Sequence, residues 1–343
     1  MPDCVPPRIA PPAETGRRPF WSVMIPSYNR TKYLEKTLTS VLSQDPGAEE
    51  MQIEVVDDGS TLEDPEPLVR RVAGDRVTFT RQPRHIGLVP NFNRCVERSL
   101  GYWAHILHTD DFVLPGFYER LKTALATRSD VGAAFCRAVF VDGEERRLCE
   151  GEPERSTPGI LPGYIEKIGV SQRIVTPTIV VRRSVYENLG GYLPDLCYTP
   201  DWEMWIRIAA SYPVWYEPAA LAACRLHSGS ETTRLMKSGR PVGDSRRCIE
   251  VSRHLLPADR ADAISREARK WVSVQALNYA RNSFENRRLA TGWGQVWEGF
   301  RCRPSARFIK ALLLMLTQVV KARLRRPART TSKGTAEREL ELP

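Results

Sequence analysis

The sequence YWAHILHTDDF occupies positions 102–112 and contains an apolar run that stops at two adjacent acids. Residues 102–107 have the aromatic and aliphatic content of a buried strand, and Asp110 and Asp111 follow closely. In an open α/β sheet, ligands gather at the carboxyl ends of strands, where paired acids can hold a hard cation and, through it, a phosphate. The alternative is that the two acids only open a turn before the next helix, since Asp is a common turn former.

The chain before this stretch alternates short apolar runs with segments of helical periodicity. Strands and helices that alternate at this interval predict an α/β fold with a doubly wound, mostly parallel sheet. The predicted elements are strand 21–25, helix 31–44, strand 53–56, helix 67–72, strand 77–81, helix 90–100 and the strand at 102–107.

Polar clusters end three of these predicted strands. PSYN at 26–29 follows the first strand, DDGS at 57–60 follows the second, and Asp110-Asp111 follows the strand at 102–107. Because the carboxyl ends of parallel strands meet at one edge of a sheet, we expect all three clusters at that edge. For Asp57 and Asp58 the alternative is a simple strand-to-loop turn with Gly59.

The chain after the acidic pair continues the alternation but includes one irregular region. Residues 142–163 are rich in charge, Pro and Gly and predict a long loop, of the kind that often forms a lid or a binding loop. The other predicted elements are helix 117–127, strand 133–141, strand 175–181, helices 185–189 and 201–210, and strand 214–225.

Helical patterns replace strands from residue 244 onward, over 249–256, 261–284, 294–300 and 306–324. The last of these has a wide apolar face bordered by basic side chains, but its uninterrupted apolar run is too short to span a bilayer, which needs about 20 residues. The sequence allows two interpretations of this last helix. The helix either lies at an anionic membrane interface or packs on the other C-terminal helices.

Composition narrows the class of partner. The 343 residues carry a net charge of +9, with a pI near 9.2, which suits a nucleotide-type substrate, another polyanion or an anionic membrane surface. We expect no nucleic-acid partner, because the excess is mostly arginine in the C-terminal third and no helix-turn-helix or aromatic-basic platform is visible. Eight cysteines without a Cys-x-x-Cys pair indicate neither a zinc site nor a disulfide framework, which favours a cytoplasmic location.

These patterns predict four parts of the chain. Residues 1–19 are Pro-rich, lack the apolar core of a signal peptide and are expected to be a disordered leader. Residues 20–235 form the α/β domain, residues 244–326 form a helical region, and residues 327–343 are expected to be a disordered tail.

Five motifs, taken together in this order and spacing, resemble those of the family 2 glycosyltransferases, which have the nucleotide-sugar-binding GT-A fold. The resemblance covers residues 20–234, so that 20–235 is identified as a GT-A domain. The motifs are PSYNR at 26–30, VVDDGST at 55–61, the segment 87–93, HTDD at 108–111 and DWEMWIR at 201–207.

The resemblance implies a nucleotide site built from the first motifs. Residues like Pro26 and Tyr28 flank the nucleotide base, and Asp58 accepts a hydrogen bond from a uracil-type N–H. Asn29 belongs to the same motif, and His85 is expected near the nucleotide on its loop. Asp110 is expected near the ribose.

The resemblance also implies a divalent cation, Mn²⁺ or Mg²⁺, held by Asp111 against the diphosphate. Such a cation neutralises the charge that develops on the departing nucleotide. His227 stands where some relatives have a histidine that contacts the diphosphate or the metal; the alternative is a surface histidine. His108 stands where many relatives have an acid, and we expect it to pack structurally, with ligand contact left open.

Asp201 matches the catalytic base of the family, the carboxylate that takes the proton from the acceptor hydroxyl. The alternative for Asp201 is an N-cap of the following helix, a role that Asp fills well. Pro200 stands where relatives usually have an acid. Arg207 is expected to face an acid or to support the site.

The resemblance implies an inverting transferase that moves one sugar from a nucleotide-diphosphate sugar to a hydroxyl of a cell-surface glycan or a lipid-linked acceptor. The Gln-x-x-Arg-Trp signature of processive synthases and a set of transmembrane segments are both missing from the sequence, which favours single-sugar transfer over polymer synthesis. We expect the enzyme in the cytoplasm, at the inner face of the cell membrane. A nucleotide-sugar pyrophosphorylase would need a Gly-rich phosphate loop near residues 25–30, which is not there. The remaining alternative is an inactive nucleotide-sugar-binding or scaffold relative.

Overall fold

The computed structural model describes residues 5–13 and 16–325, and these divide into two compact units. The first unit contains the described residues through Tyr164, together with Arg173–Asp195 and Pro200–Leu226. The second contains Ile165–Gln172, Leu196–Thr199 and the described residues from His227 onward. The predicted tail at 327–343 lies outside the described residues.

The first four strands form the parallel half of the sheet in the first unit. They are β1 (Trp21–Ser27), β2 (Met51–Asp57), β3 (Thr78–Arg81) and β4 (Trp103–Ile106). Their order is β3-β2-β1-β4 and every pairing is parallel. The carboxyl ends of β1, β2 and β4 therefore share one edge, as the sequence predicts.

The rest of the sheet mixes directions. Antiparallel β9 separates β4 from β6, β10 runs parallel to β6, and β5 is antiparallel to β10. The region predicted as one long loop contains two short strands, because β7 pairs back on β6 and β8 pairs with β10. The strands are β5 (Phe112–Val113), β6 (Ala133–Val141), β7 (Arg147–Glu150), β8 (Gly159–Ile160), β9 (Ile179–Arg182) and β10 (Val214–Arg225).

Helices cover both faces of the parallel half. Successive side chains of a strand point to opposite faces, and Val23 and Ile25 of β1 accordingly share a buried cluster with Leu34 of α1. Met24 lies between them in sequence and packs with Cys95 of α3 instead. The helices through residue 211 are α1 (Leu34–Leu42), α2 (Glu66–Ala73), α3 (Leu88–Arg98), α4 (Phe117–Leu125), α5 (Tyr164–Ile168), α6 (Arg183–Leu189) and α7 (Pro200–Ser211).

The described part of the predicted leader is not disordered. Residues 5–13 have no regular secondary structure, yet Ile9 is only 1% exposed. Gly191 N donates to Pro7 O at 2.8 Å, and Arg183 Nη2 donates to Ala10 O at 2.9 Å. An apolar side chain and two satisfied carbonyls hold this segment against the first unit.

The second unit is helical, as predicted. One helix was not predicted, α8, and the next begins nine residues before its predicted start at 249. None of the helices in the described part of the chain combines the length and the apolar composition of a membrane span. The helices are α8 (Glu231–Ser238), α9 (Arg240–Ser252), α10 (Ala261–Glu285), α11 (Leu289–Cys302) and α12 (Ala306–Arg325).

Candidate active site

Three potential metal ligands converge just after β4. Ligand atoms of His108, Asp110 and Asp111 all lie within 4.8 Å of one another, and His108 Nδ1 is 3.5 Å from Asp111 Oδ2. His108 Nε2 is buried and has no hydrogen-bond partner among the described residues. Carboxylate oxygens suit Mg²⁺ or Mn²⁺, and imidazole is a ligand for many divalent metals. The donor set therefore fits a divalent cation, and His108 belongs to it although its ring also stacks on Phe92 at 5.3 Å.

A helix on one side fixes the backbone of this acidic loop. Thr37 Oγ1 of α1 lies 3.0 Å from Thr109 O and 2.7 Å from Asp111 O, so it donates to this pair of carbonyls. Ser40 Oγ, one turn later, accepts from Val113 N at 3.2 Å. α1 thus positions both ends of the loop that carries the acids.

Arg225, the last residue of β10, holds the same loop from the other side. Its backbone N donates to Asp111 Oδ1 at 2.9 Å, and its Nε donates to Asp110 O at 2.9 Å. The buried guanidinium lies 4.2 Å from the centre of the Tyr33 ring and bonds Glu145 Oε1 at 3.1 Å. Sequence reasoning missed Arg225 because its partners are 80 or more residues away; its place at a strand end is the only sequence signal.

The electrostatics of the loop favour a bound positive charge. Burial raises the pKa of Asp111, and the charge of Asp110 raises it further, while the hydrogen bond with His108 opposes the shift. Burial disfavours the protonated form of His108, but the bond to Asp111 and the charges of Asp110 and Asp201 outweigh it and raise the pKa of the imidazole. A cation bound among these groups would offset the repulsion between the Asp110 and Asp111 carboxylates, as a proton on Asp111 does.

The predicted nucleotide residues Tyr28, Asp58 and His85 come together at the ends of β1 and β2. Asp58 is 2% exposed and accepts hydrogen bonds from Ile86 N at 2.8 Å and Gly87 N at 2.9 Å. His85 Nδ1 lies 2.7 Å from Asp58 Oδ2, and the His85 ring stacks on Tyr28 at 4.0 Å. Burial raises the pKa of Asp58, although the amides and His85 counteract it. Asp58 therefore also holds the loop that contains His85.

Asn29 and Pro26 have structural partners at this edge. Asn29 has φ of 48°, and its Oδ1 accepts from Thr61 N and Leu62 N, both at 2.8 Å. This side chain ties the end of β1 to the loop after β2. Pro26 is a buried β1 residue opposite Val56. Contact of either residue with a nucleotide stays a prediction.

Two arginines bond to acids at this edge of the sheet, one to Asp110 and one to Asp57. Arg30 Nη1 lies 3.8 Å from Asp110 Oδ2, which links the motif after β1 to the motif after β4. Arg81 Nε donates to Asp57 Oδ2 at 2.9 Å, so that the first acid of the β2 pair is bonded within the sheet. The edge predicted from strand ends is thus one connected polar surface.

Asp201 lies in the first turn of α7. The helix begins at Pro200, so that Asp201 is inside the helix rather than at its N-cap, and its Oδ1 accepts from Trp202 N at 2.8 Å. Its charge is among those that raise the pKa of His108. Later in α7, Arg207 and Glu203 form a buried ion pair at 2.6 Å, which confirms that Arg207 faces an acid.

The segment that leads into α7 is held by an acid that sequence reasoning missed. Within the second unit, the Asp244 carboxylate accepts from the backbone N of Cys197 at 3.0 Å, Tyr198 at 2.9 Å and Thr199 at 2.8 Å. Thr199 immediately precedes Pro200 and Asp201 in the chain. Asp244 therefore fixes the backbone one residue before the helix of the predicted base.

His227 is the first residue of the C-terminal segment of the second unit and lies two residues after the end of β10. Its backbone carbonyl accepts from Ser230 N at 3.2 Å and from Thr233 Oγ1 at 3.0 Å. A role for His227 as a metal ligand stays a prediction.

The fold is that of the GT-A glycosyltransferases. It matches residues 1–349 of TarS from S. aureus, crystallised with UDP-GlcNAc, with a TM-score of 0.59 at 15% identity over 88% of this chain and 81% of that one. It also matches the mannosyltransferase PcManGT of Pyrobaculum calidifontis, crystallised with GDP-Man and Mn²⁺, with a TM-score of 0.56 at 17% identity over 92% and 84% of the two chains. At such identities the likeness establishes the fold.

Sequence comparison supplies the family. The model of glycosyl transferase family 2 matches residues 22–190. An uncharacterized protein of Mycobacterium tuberculosis is 31% identical over 245 residues, which cover 68% of this chain and 75% of that protein. An uncharacterized glycosyltransferase of Methanocaldococcus jannaschii is 24% identical over 197 residues, or 57% and 66% of the two chains. The chain belongs to glycosyltransferase family 2, and the resemblance seen in its motifs is confirmed.

Proposed function

We propose that this glycosyltransferase inverts the anomeric centre and moves one sugar from a nucleotide-diphosphate sugar to a hydroxyl of a cell-surface glycan or lipid-linked acceptor. The observation that carries the proposal is the convergence of His108, Asp110 and Asp111 at one sheet edge, with the charge of Asp201 acting on that cluster. Such an arrangement supplies cation ligands and a carboxylate base to one reacting centre. We place the reaction in the cytoplasm, at the inner face of the membrane.

The donor would bind along the edge formed by β1, β2 and β4. The stacked Tyr28 and His85 rings offer a flat surface for a nucleotide base, and Asp58 beside them offers a buried acceptor for a base N–H. The TarS and PcManGT crystals hold UDP-GlcNAc and GDP-Man respectively, which supports a nucleotide sugar as the donor class.

Asp110, Asp111 and His108 would hold the divalent cation, Mn²⁺ or Mg²⁺. When bound, such a cation neutralises charge on the diphosphate oxygens of the leaving group. Thr37 and Arg225 keep the acidic loop in place through its backbone, so that the ligand atoms need little rearrangement on binding.

Asp201 would act as the general base. As the acceptor oxygen bonds to the anomeric carbon and the bond to the diphosphate oxygen breaks, the acceptor proton passes to the Asp201 carboxylate. Its carboxylate lies in the first turn of α7, near the partial positive charge of the helix N-terminus. A base of this kind typically contributes roughly 10²- to 10⁴-fold in rate.

A panel of nucleotide sugars tests the proposal, with thermal shift and donor hydrolysis measured with and without Mn²⁺. We expect one donor to stabilise the wild type only with metal. Asp201→Asn should bind that donor with the same shift but lose at least about 10²-fold in turnover. If no nucleotide sugar binds under either condition, the chain is an inactive relative of the family.

A further inference from the structure

Helix α12 has two different apolar stripes, and only one of them is covered. Phe308, Met315 and Val319 are buried and pack with residues of α10 and α11. Ile309, Leu313 and Val320 lie at spacings of four and seven residues, on one helical face, and are 48%, 59% and 55% exposed. The prediction that this helix packs on the other C-terminal helices is therefore correct for the first stripe. The second stripe is exposed to water.

A basic stripe runs beside the exposed apolar one. Arg307, Lys310 and Lys321 are exposed and share the next face of the helix. The sequence of α12 contains five basic residues and no acid: Arg307, Lys310, Lys321, Arg323 and Arg325.

We propose that this face of α12, defined by Ile309, Leu313 and Val320 with Arg307, Lys310 and Lys321, binds the surface of an anionic lipid bilayer. The helix would lie in the plane of the interface, with the apolar stripe among the acyl chains and the basic side chains extended to the head groups. Basic residues near an anionic bilayer gain electrostatic attraction that acyl burial alone does not supply. The proposal does not depend on the sugar chemistry.

The neighbouring helix α11 has two exposed tryptophans. Trp293 and Trp297 are one turn apart and are 52% and 61% exposed. The Trp297 ring lies 6.3 Å from Phe300, and Phe300 lies 6.1 Å from Phe308 at the start of α12. Tryptophan favours the boundary between water and hydrocarbon, so an exposed indole beside this helix suits a membrane surface.

Charge separates the bilayer from the other possible occupants of this face. A second copy of α12 would bring two basic stripes together, and like charges across an interface oppose association. A nucleic acid would take the basic side chains but leave Ile309, Leu313 and Val320 in water. An anionic bilayer matches both stripes at once.

Vesicle sedimentation of the full chain tests the proposal. At low salt we expect the wild type to sediment with vesicles of phosphatidylcholine and phosphatidylglycerol, and to stay in solution with phosphatidylcholine alone. The triple variant Ile309→Ser/Leu313→Ser/Val320→Ser should bind the anionic vesicles at least about tenfold more weakly. Lys310→Gln/Lys321→Gln should bind roughly 30-fold more weakly, about fivefold for each charge.

Matched variants keep the test specific. Leu62→Ser/Leu148→Ser removes two exposed apolar side chains of the first unit and should bind as the wild type does. Circular dichroism should show that every variant keeps its helices, since the changed side chains are exposed. The proposal is overturned if the wild type does not sediment with anionic vesicles, or if the triple variant sediments as the wild type does. It is also overturned if size-exclusion chromatography shows that the protein dimerises through this stripe.

Discussion

Two Asp-Asp pairs lie at the carboxyl ends of β2 and β4, the strands on either side of β1, and they have different environments. Asp57, the last residue of β2, and Asp58 are bonded to Arg81, to Ser60 and to the amides of residues 86 and 87. Asp110 and Asp111, after β4, lie with the ligand atoms of His108 in one cluster. The same Asp-Asp dipeptide thus forms a loop clamp at one strand end and a cluster of potential metal ligands at the other, because the surrounding groups differ.

The largest expected difference between the two acid pairs is in their effect on Mn²⁺ binding. Asp111→Asn should remove the stabilisation by Mn²⁺ and lower donor turnover by at least about 10³-fold, since a cation supplies several kcal/mol of charge stabilisation. Thermal shift and donor hydrolysis measure both effects. Asp57→Asn serves as the matched control and should keep its response to Mn²⁺. The comparison fails if Asp57→Asn loses that response and Asp111→Asn retains it.

The clamp role of Asp58 predicts an effect on stability. Asp58→Ala would leave the amides of Ile86 and Gly87 without an acceptor, which should lower the free energy of unfolding by about 2–3 kcal/mol. Urea denaturation measures this loss. Asp58→Asn keeps one acceptor oxygen and should lose less than Asp58→Ala. If Asp58→Ala were as stable as the wild type, Asp58 would not act as a loop clamp.

Asp244 extends the comparison to a third acid, whose partners resemble those of Asp58. It accepts from three consecutive backbone amides just before the helix of Asp201. Asp244→Ala should lower the free energy of unfolding by about 1–2 kcal/mol. It should also lower kcat while the KM for the donor stays unchanged. Asp262→Asn changes an exposed acid of the same unit and should alter neither quantity; a rise in KM alone would contradict this role for Asp244.

The smallest expected effect is the pH dependence that Asp58 contributes. Burial raises its pKa above the ordinary value of 3.8, so the folded state binds the proton more tightly than the unfolded state. The contribution of Asp58 to stability is therefore greatest at a pH below 3.8 and falls as the pH rises through the raised pKa. Urea denaturation across this range should show a shallower decline in Asp58→Asn than in wild type. If the free energy of unfolding of the two proteins changed with pH in parallel, this prediction for Asp58 would be wrong.

The strands of the first half of the sheet and their parallel direction followed from the sequence. Apolar runs and helical periodicity located β1, β2 and β4, and parallel pairing then brought their polar ends to one edge. The second half was less predictable, because antiparallel β9 enters between β4 and β6 from a distant part of the chain. Nothing local in residues 142–163 marks the short strands β7 and β8, whose pairing depends on that arrangement.

The sequence by itself determined which acids stand at strand ends, which family the motifs resemble and that the last part of the described chain is helical. Only the tertiary structure decided what each acid does. Asp111 meets the backbone N of Arg225, 114 positions away, and Asp244 meets residues 45–47 positions away. Such contacts depend on sheet order and helix packing, and a local pattern of two acids contains no information about the donors that folding brings to them.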